Sequence, residues 1–320
     1  MYSVVILMVV LILAVSTRPE LLELKGYKPK GRRVVCSLTT RPKQPHYFGQ
    51  VLNSLVSQFD AVYLALPKVS WEGVPYPKIT HPGVTIVPVE KDFGPITKFF
   101  GILNSHERPD TLVVVLDDDV IYDPRLREIY EQAHSKYSRV VLSGAGIVYK
   151  YAYLELPWFL SMTGRRENYS SFTPSFLRSR YLTTVCGYTG ISFRRSLIKR
   201  DNLLDFIRLW NKNKDCFIND DIVISAFFSS RGIPRIWVKT PRCKYELSKD
   251  TQSLSDHGQL AMFITQDRAF QHLRDCFRKD PVRFDCICAF DVLLGITLVV
   301  LCDMLSLRSG TYPQSHSLRA

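Results

Sequence analysis

Short runs of β-branched and aliphatic residues alternate with amphipathic helical segments in the first half of the chain. The apolar runs are dense and continuous, as in strands that are buried on both faces. The segments between them carry apolar residues at helical spacing. Strands that alternate with helices favour parallel pairing, so the sequence predicts an α/β fold with a mainly parallel central sheet flanked by helices. The predicted strands are 33–38, 61–66, 84–89, 111–116 and 140–142, and the predicted helices are 45–58, 94–106 and 124–137.

The second half of the chain is less regular. Two glycines, Gly187 and Gly190, stand just ahead of a short apolar run at 191–193. They either let the backbone approach a ligand or make a tight turn, and the pattern favours neither interpretation. Helical spacing predicts a further helix at 203–210, and another helix is predicted between a cap at 219 or 220 and Gly232.

Apolar segments also lie near both ends of the chain. Residues 4–15 form an unbroken apolar run, which is shorter than the standard span of about 20 residues and has no positive charges ahead of it. It predicts a short membrane anchor. The second stretch runs from 286 to 307, and Asp291 and Asp303 bracket its apolar core, so it predicts a helix that lies on a membrane or on the domain. The predicted organisation is an anchor or signal segment at 1–18, a basic linker at 19–31, a main domain at 32–280 with halves 32–150 and 151–280, an apolar segment at 284–307 and a disordered tail at 308–320.

The expected location is membrane-associated, as a single-pass protein of the Golgi or endoplasmic reticulum, but the orientation stays open. Five Lys and Arg residues follow the N-terminal segment, and the positive-inside rule places them in the cytoplasm. A glycosylation sequon at Asn168 matters only in a lumen. The two signals point to opposite sides of the membrane.

The charge balance favours anionic partners. The formal net charge is +12, from 42 Lys and Arg against 30 Asp and Glu. Phosphates, nucleotides, acidic glycans and membrane surfaces all fit such a balance. No basic tract interleaved with aromatic residues and no zinc-finger spacing is present in the sequence, so nucleic acid is not an expected partner.

Three consecutive carboxylates, Asp117, Asp118 and Asp119, close the most apolar of the predicted strands. Burying an unpaired carboxylate is costly, so the chain must leave the sheet here, at the edge where α/β sheets bind ligands. Strand alternation points Asp117 and Asp119 the same way, and two hard oxygen ligands suit Mg²⁺ or Mn²⁺. The alternative is a solvated acidic turn in which Asp118 or Asp119 caps the next helix. Turns seldom need three adjacent carboxylates, which favours the metal site.

A second acidic pair, Asp220 and Asp221, follows Asn219 at the start of a predicted helix. Asn219 or Asp220 can cap that helix, and Gly232 ends it. The helix dipole stabilises one acidic residue at this position. Two adjacent carboxylates exceed what a cap needs, and one of them could accept a proton from an attacking hydroxyl.

These motifs resemble those of the nucleotide-sugar glycosyltransferases of the GT-A fold, most closely the inverting group related to the family-2 enzymes. The similarity rests on Lys91-Asp-Phe-Gly-Pro-Ile-Thr-Lys98, on the acidic run with Val-Ile-Tyr122 after it, and on Asn219-Asp-Asp-Ile-Val-Ile-Ser225. It covers roughly residues 32–238. The resemblance implies a Rossmann-like GT-A domain whose first half holds the nucleotide sugar and whose second half holds the acceptor.

The resemblance also implies roles for single residues. Asp117 and Asp118 would face the donor, Asp119 would ligate the metal directly with Asp117 in support, and His257 is a further candidate metal ligand. Asp221, 102 residues after Asp119, would be the catalytic base, with Asp220 supporting it. The remaining candidates for binding the nucleotide sugar are Thr39, Thr40, Arg41, Asp92 and Lys98, of which Lys98 could offset diphosphate charge.

The sequence therefore predicts a glycosyltransferase that depends on Mn²⁺ or Mg²⁺. It would transfer a hexose from a UDP- or GDP-sugar to a hydroxyl of a glycan or glycoconjugate, with inversion. Two alternatives remain. A sugar-phosphate nucleotidyltransferase also uses acidic residues and Mg²⁺, but it normally carries a glycine-rich loop near its first strand. A glycan-binding protein on a degenerate transferase fold would not need both acidic motifs.

Overall fold

A seven-stranded sheet forms the centre of the protein. The computed structural model describes residues 31–137, 139–149, 166–169, 182–210 and 213–241. Its strands are β1 (Val34–Leu38), β2 (Ala61–Pro67), β3 (Val84–Val89), β4 (Leu112–Val115), β5 (Val141–Ser143), β6 (Gly146–Tyr149), β7 (Arg166–Tyr169), β8 (Thr184–Val185), β9 (Ile191–Arg194) and β10 (Arg235–Trp237). The helices are α1 (Phe48–Val56), α2 (Phe100–Leu103), α3 (Leu126–Lys136), α4 (Arg200–Trp210), α5 (Lys214–Ile218) and α6 (Asp220–Ser230), and a 3₁₀ turn at Ile96–Phe99 leads into α2.

The strand order of the central sheet is β3-β2-β1-β4-β9-β5-β10. All neighbouring strands are parallel except β9, which runs antiparallel to both β4 and β5. Strands β7, β6 and β8 form a separate antiparallel sheet. The predicted α/β class with a mainly parallel central sheet is confirmed.

Helices cover both faces of the central sheet, which therefore separates two apolar cores. Strand β4 shows the division, because Val113 and Val115 pack into one core while Leu112 and Val114 pack into the other. All four residues have no exposed surface. At roughly 25 cal/mol per Å² of apolar surface removed from water, such doubly buried strands contribute strongly to stability. The carboxylates that follow β4 cannot enter either core and must leave at the strand's end.

The structure departs from the predicted elements mainly in one helix that is broken near its start and in strands that are short. The predicted helix at 94–106 is broken into a 3₁₀ turn and the four-residue α2. Gly94 lies at φ +76°, which prevents a regular helix from starting there. Helix α3 begins at Leu126 rather than at 124. Strands β9 and β10 are not predicted from the sequence, since runs of three or four residues are too short to show a period.

The predicted location, as a single-pass membrane protein of the Golgi or endoplasmic reticulum, is not supported by the structure and is corrected here. In the ranges described above, no helix has both the length and the apolar character needed to cross a membrane. A helix must run for about 20 apolar residues to do so. The segments predicted at 1–18, 284–307 and 308–320, nearly all of the linker at 19–31 and much of 151–280 lie outside the described residues.

Candidate active site

The candidate site lies where β1 and β4 end side by side. Their parallel register pairs Ser37 with Val115, close to the carboxyl end of each strand. The residues that follow β1 and those that follow β4 therefore leave the sheet at the same edge. This is the edge at which open α/β sheets place their ligand crevice. Three further segments reach the same edge, namely the turn before α2, the loop between β8 and β9, and the N-terminus of α6.

Lys98 joins the two acidic segments. Its ammonium Nζ lies 2.5 Å from Asp117 Oδ1 and 2.7 Å from Asp220 Oδ2, and the residue is only 3% exposed. Burial lowers the pKa of Lys98, but the charges of Asp117, Asp220 and Asp221 outweigh it and hold the pKa well above its ordinary value. Lys98 is therefore a buried cation between two carboxylates. If Lys98 also offsets the charge of a bound diphosphate, it does so in addition to pairing with Asp117 and Asp220.

Asp117 and Asp118 face different partners. Asp117 faces Lys98, whereas Asp118 Oδ2 accepts a hydrogen bond of 2.6 Å from Thr40 Oγ1, just after β1. Burial raises the pKa of Asp118, although the Thr40 hydrogen bond opposes the rise. The exposed Arg41 also lies within electrostatic reach of Asp118. Thr39 Oγ1 donates to the carbonyl of Ala65 in β2 instead.

The acidic run after β4 does not cap the next helix. Helix α3 has Arg125 at its N-cap position and no side-chain cap, and Asp123 Oδ1 accepts the Arg125 N–H. Asp118 and Asp119 therefore have no role at that helix start. The alternative of a simple capping turn does not account for these two carboxylates.

Asp119 lies in a crowded acidic environment. Burial raises its pKa to about 7, and the neighbouring charges of Asp117 and Asp118 add to the rise. Its position is fixed by the backbone, because Tyr47 Oη donates to the Asp119 carbonyl at 3.2 Å. Crowded carboxylate oxygens with too little positive charge nearby are suited to a hard divalent cation.

The described residues do not form a complete metal cage. They contain no group of three or more His, Cys, Asp or Glu side chains placed to hold an ion. Mg²⁺ and Mn²⁺ are commonly bound by one or two carboxylates together with substrate phosphates and water. Asp117 and Asp119 match that incomplete donor set. The third predicted ligand, His257, lies outside the described residues.

Asp220 and Asp221 have different surroundings at the start of α6. Asp220 is 8% exposed and pairs with Lys98, while Asp221 Oδ1 accepts the Gly187 N–H at 2.9 Å. Burial raises the pKa of both carboxyls, and the charge of Asp220 raises that of Asp221 further. Asn219 does not cap α6 with its side chain, which donates to the Asp215 carbonyl instead. Asp221 is thus the carboxylate that is not ion-paired to Lys98.

The loop that joins β8 to β9 approaches the lysine with a bare backbone. A Cβ atom on Gly187 would lie 2.6 Å from Lys98 Nζ and 2.9 Å from Asp117 Oδ1. Gly190, at φ +91°, makes the turn into β9. The tight-turn interpretation therefore holds for Gly190, whereas the backbone at Gly187 lies close to the side chains of Lys98 and Asp117.

Asp92 holds together the loops beside the site. Its Oδ1 accepts the Gly94 N–H at 2.7 Å, and its Oδ2 accepts the Trp71 N–H at 3.0 Å. Thr97 Oγ1 also donates to Oδ1 at 3.3 Å. Both carboxylate oxygens are thus engaged by the chain itself, and Asp92 fixes the loop after β2 against the turn that carries Lys98.

Three tyrosines support the site and were not singled out from the sequence. Tyr122 Oη accepts the Asp117 N–H at 2.9 Å and lies 3.3 Å from the Asp117 carbonyl. Tyr47 holds the backbone two residues later. Burial raises the pKa of Tyr76, with the charges of Asp92 and Asp118 adding to the rise, so its phenol faces the same acidic region. Tyr122 stands within the acidic motif, but no spacing indicates Tyr47 or Tyr76.

No protein-family model and no curated protein matches the chain. The solved structures that are similar to it include the following two. A crystal structure of GalNAc-T7 with UDP, GalNAc and Mn²⁺ has a TM-score of 0.43 and 11% identity, over 68% of this chain and 44% of that chain. The 2-C-methyl-D-erythritol 4-phosphate cytidylyltransferase of Francisella tularensis has a TM-score of 0.38 and 14% identity, over 68% of this chain and 95% of that chain. The chain thus spans less than half of GalNAc-T7 and nearly all of the cytidylyltransferase. The described part of the chain has the α/β fold with a mainly parallel central sheet that the sequence predicts.

Proposed function

We propose that this protein is a glycosyltransferase that moves a sugar from a nucleoside diphosphate sugar to a hydroxyl of a glycan or glycoconjugate, with inversion. The observation that supports this most is the meeting of two acidic segments at Lys98. One segment ends β4 and the other starts α6, and the buried ammonium pairs with a carboxylate from each. The segments that would bind the donor (the donor end) and the segment that would accept the proton (the proton-accepting end) are thereby held at one edge of the sheet.

The donor end is formed by the segments after β1 and β4. Thr40 and Asp118 are hydrogen-bonded to each other there, with the charge of Arg41 nearby, and they are suited to the ribose and base side of a nucleotide. Asp117 and Asp119 would hold Mn²⁺ or Mg²⁺. Such an ion, when bound, supplies charge stabilisation for a departing diphosphate. The chain's own part is to keep these carboxylates close together at a surface crevice.

The proton-accepting end is Asp221. In the proposed transfer, the acceptor oxygen forms a bond to the anomeric carbon as the bond from that carbon to the diphosphate oxygen breaks. The acceptor proton passes to the Asp221 carboxylate, and the electron pair leaves with the nucleoside diphosphate. Gly187 N–H orients one oxygen of Asp221, which leaves the second for the acceptor hydroxyl. Asp220 is ion-paired to Lys98, so it is the less suitable base.

The deciding experiment is a donor screen. Purified protein is incubated with a panel of UDP- and GDP-sugars, with and without Mn²⁺, and the released nucleoside diphosphate is measured. Release from at least one donor, increased by Mn²⁺, is the expected result. Formation of pyrophosphate from a nucleoside triphosphate and a sugar phosphate would instead identify a nucleotidyltransferase. Glycan binding without either reaction would leave a non-catalytic binding protein.

A further inference from the structure

Among the residues that the structure describes, Trp71 has the most exposed large apolar side chain. It is 60% exposed, and the neighbouring Val69 and Val74 are 49% and 45% exposed. All three lie on the loop that follows β2, at the carboxyl edge of the sheet. A single exposed apolar residue is ordinary, but three on one short turn form a patch that commonly marks a binding surface.

The turn that carries Trp71 is rigid. Ser70 N–H donates to the Val74 carbonyl at 2.8 Å, and Gly73 N–H donates to the Ser70 carbonyl at 2.9 Å. Val74 N–H donates to Ser70 Oγ at 3.2 Å, and Gly73 takes φ +81° to close the turn. The Trp71 N–H is itself held by Asp92. The indole is thus displayed on a backbone that these four hydrogen bonds hold in place.

Trp71 is also connected to the segment that bears the proposed base. Its ring makes an edge-to-face contact with Phe217, with centroids 5.7 Å apart. Phe217 lies in α5, four residues before Asp221, and packs over Gly94, where a Cβ would be 2.7 Å from the Phe217 carbonyl oxygen. A side chain at residue 94 would force Phe217, and with it the Trp71 support, to move. The loop after β2 and the entry to α6 are therefore locked together.

We propose that Trp71 is the platform of the acceptor subsite, on which a pyranose ring of the acceptor glycan stacks. This rests on the proposed transferase function and names the site of its second substrate. A pyranose presents an apolar face of C–H groups, and a rigid, exposed indole offers a large complementary surface at little cost in side-chain entropy. The acceptor hydroxyl must reach Asp221, and Trp71 is joined to the segment that leads to Asp221.

A nucleotide base is the competing occupant of an exposed indole. The donor end, however, is built from Thr40, Asp118 and Arg41, after β1 and β4. The Trp71 ring contacts Phe217 instead, in the segment that leads to Asp221. The two occupants lead to opposite results in the test, since loss of a base platform weakens donor binding and loss of a sugar platform does not.

The test compares Trp71→Ala and Trp71→Phe with the unchanged protein, using the donor found active in the screen. The acceptor probes are methyl glycosides of common hexoses, which have a ring, together with glycerol and water, which have none. Trp71→Ala should raise KM for the methyl glycosides about tenfold, and Trp71→Phe should raise it less. Hydrolysis of the donor, transfer to glycerol and the affinity for the nucleoside diphosphate should be unchanged. Leu209→Ala, at a 54% exposed position in α4, is the matched control and should change none of these quantities.

Two results would overturn the platform. One is an unchanged KM for the methyl glycosides in Trp71→Ala. The other is weaker binding of the nucleoside diphosphate together with an equal loss of transfer to the methyl glycosides and to glycerol. That result would assign Trp71 to the donor site. A readout that needs no catalysis is tryptophan fluorescence. The protein is titrated with methyl glycosides in the presence of UDP or GDP, and the change in its emission is compared with that of Trp71→Phe. If no donor is turned over, the proposed function fails, whereas a Trp71-dependent titration still supports a sugar platform and its absence rejects one.

Discussion

Lys98 and Asp220 form a buried ion pair, with Nζ 2.7 Å from Oδ2 and exposures of 3% and 8%. The same ammonium also holds Asp117, at the end of β4. One cation thus serves two carboxylates that come from opposite halves of the described chain. Since burial of an unpaired charge is costly, the three side chains depend on one another, and the geometry of the donor end is coupled to that of the base.

Lys98→Met should destabilise the protein strongly. The substitution keeps an unbranched apolar stem but leaves Asp117 and Asp220 without their counter-ion. Removing one partner of a buried pair typically costs about 3–5 kcal/mol. The loss should shrink as the pH falls, because burial raises the pKa of Asp220 and its protonation removes one of the unpaired charges. Urea unfolding at several pH values measures both effects.

Lys78→Met, at an exposed position, is the control for that substitution. It should stay within about 0.5 kcal/mol of the unchanged protein at every pH. A Lys98→Met protein of unaltered stability would show that the ion pair does not form in solution.

Gly187→Ala should impair transfer, because its Cβ would meet Lys98 Nζ at 2.6 Å. Either the ammonium moves away from Asp117 or the loop moves and withdraws the N–H that orients Asp221. Gly49→Ala is the matched control, since no atom lies within 4 Å of its Cβ and it stands in α1. That change should stabilise the protein by about 0.5–1 kcal/mol. We would measure turnover and thermal unfolding for both variants. Equal turnover in Gly187→Ala and Gly49→Ala would show that Gly187 has no role in the site.

The sequence predicts five of the seven strands of the central sheet, β1 to β5, because these are continuous apolar runs. It also predicts that Asp117 and Asp118 diverge, which follows from strand alternation. It does not predict that Lys98 is buried, because a lysine four residues after Gly94 is typical of a solvated helix. The role of Gly187 was also out of reach, since a close approach depends on how β9 returns antiparallel between β4 and β5. Such pairings across the chain leave no local period.

Asp119→Asn should abolish Mn²⁺-dependent donor affinity and, without metal, should stabilise the protein at alkaline pH. The folded-state pKa of Asp119 is raised to about 7, so its ionisation opposes folding as the pH rises through that value. Asparagine removes that charge. The gain should fade as the pH falls from about 7 to about 3, because below the ordinary Asp pKa of about 3.9 the carboxyl is protonated in both states. Calorimetry with Mn²⁺ and unfolding without it test the two parts, with the 87% exposed Asp201→Asn as control. Unchanged donor affinity would exclude Asp119 as a ligand.

His134 makes the stability of the fold depend on pH away from the site. It is 1% exposed, with Nδ1 3.2 Å from the Tyr137 carbonyl and Nε2 3.1 Å from Ser192 Oγ. Burial lowers its pKa to about 4, and the positive charges of Arg194 and Arg32 add to the shift. The unfolded state therefore binds the proton first, and stability is lost as the pH falls from about 6.5 to 4.

The expected loss from His134 is about 2 kcal/mol between pH 7 and pH 5. His134→Gln should lose that part of the pH dependence, whatever its stability at pH 7. His46→Gln, at an exposed position, should retain it. Equal slopes of unfolding free energy against pH for the two variants would contradict the buried neutral imidazole.

Asp221→Asn and Asp220→Asn should separate the base from its neighbour. Asp221→Asn keeps an oxygen for the Gly187 N–H but removes the proton acceptor, so turnover at saturating donor should fall by about 10²–10⁴ with donor affinity little changed. Asp220→Asn leaves Lys98 paired with Asp117 alone, so its main cost should be in stability, and its turnover should fall less. Transfer rate and urea unfolding are measured for both. The reverse order of rates would make Asp220 the base, with Lys98 tuning it. Full activity in both would mean that the acidic start of α6 only anchors Lys98, and the proton acceptor must then be sought elsewhere in the chain.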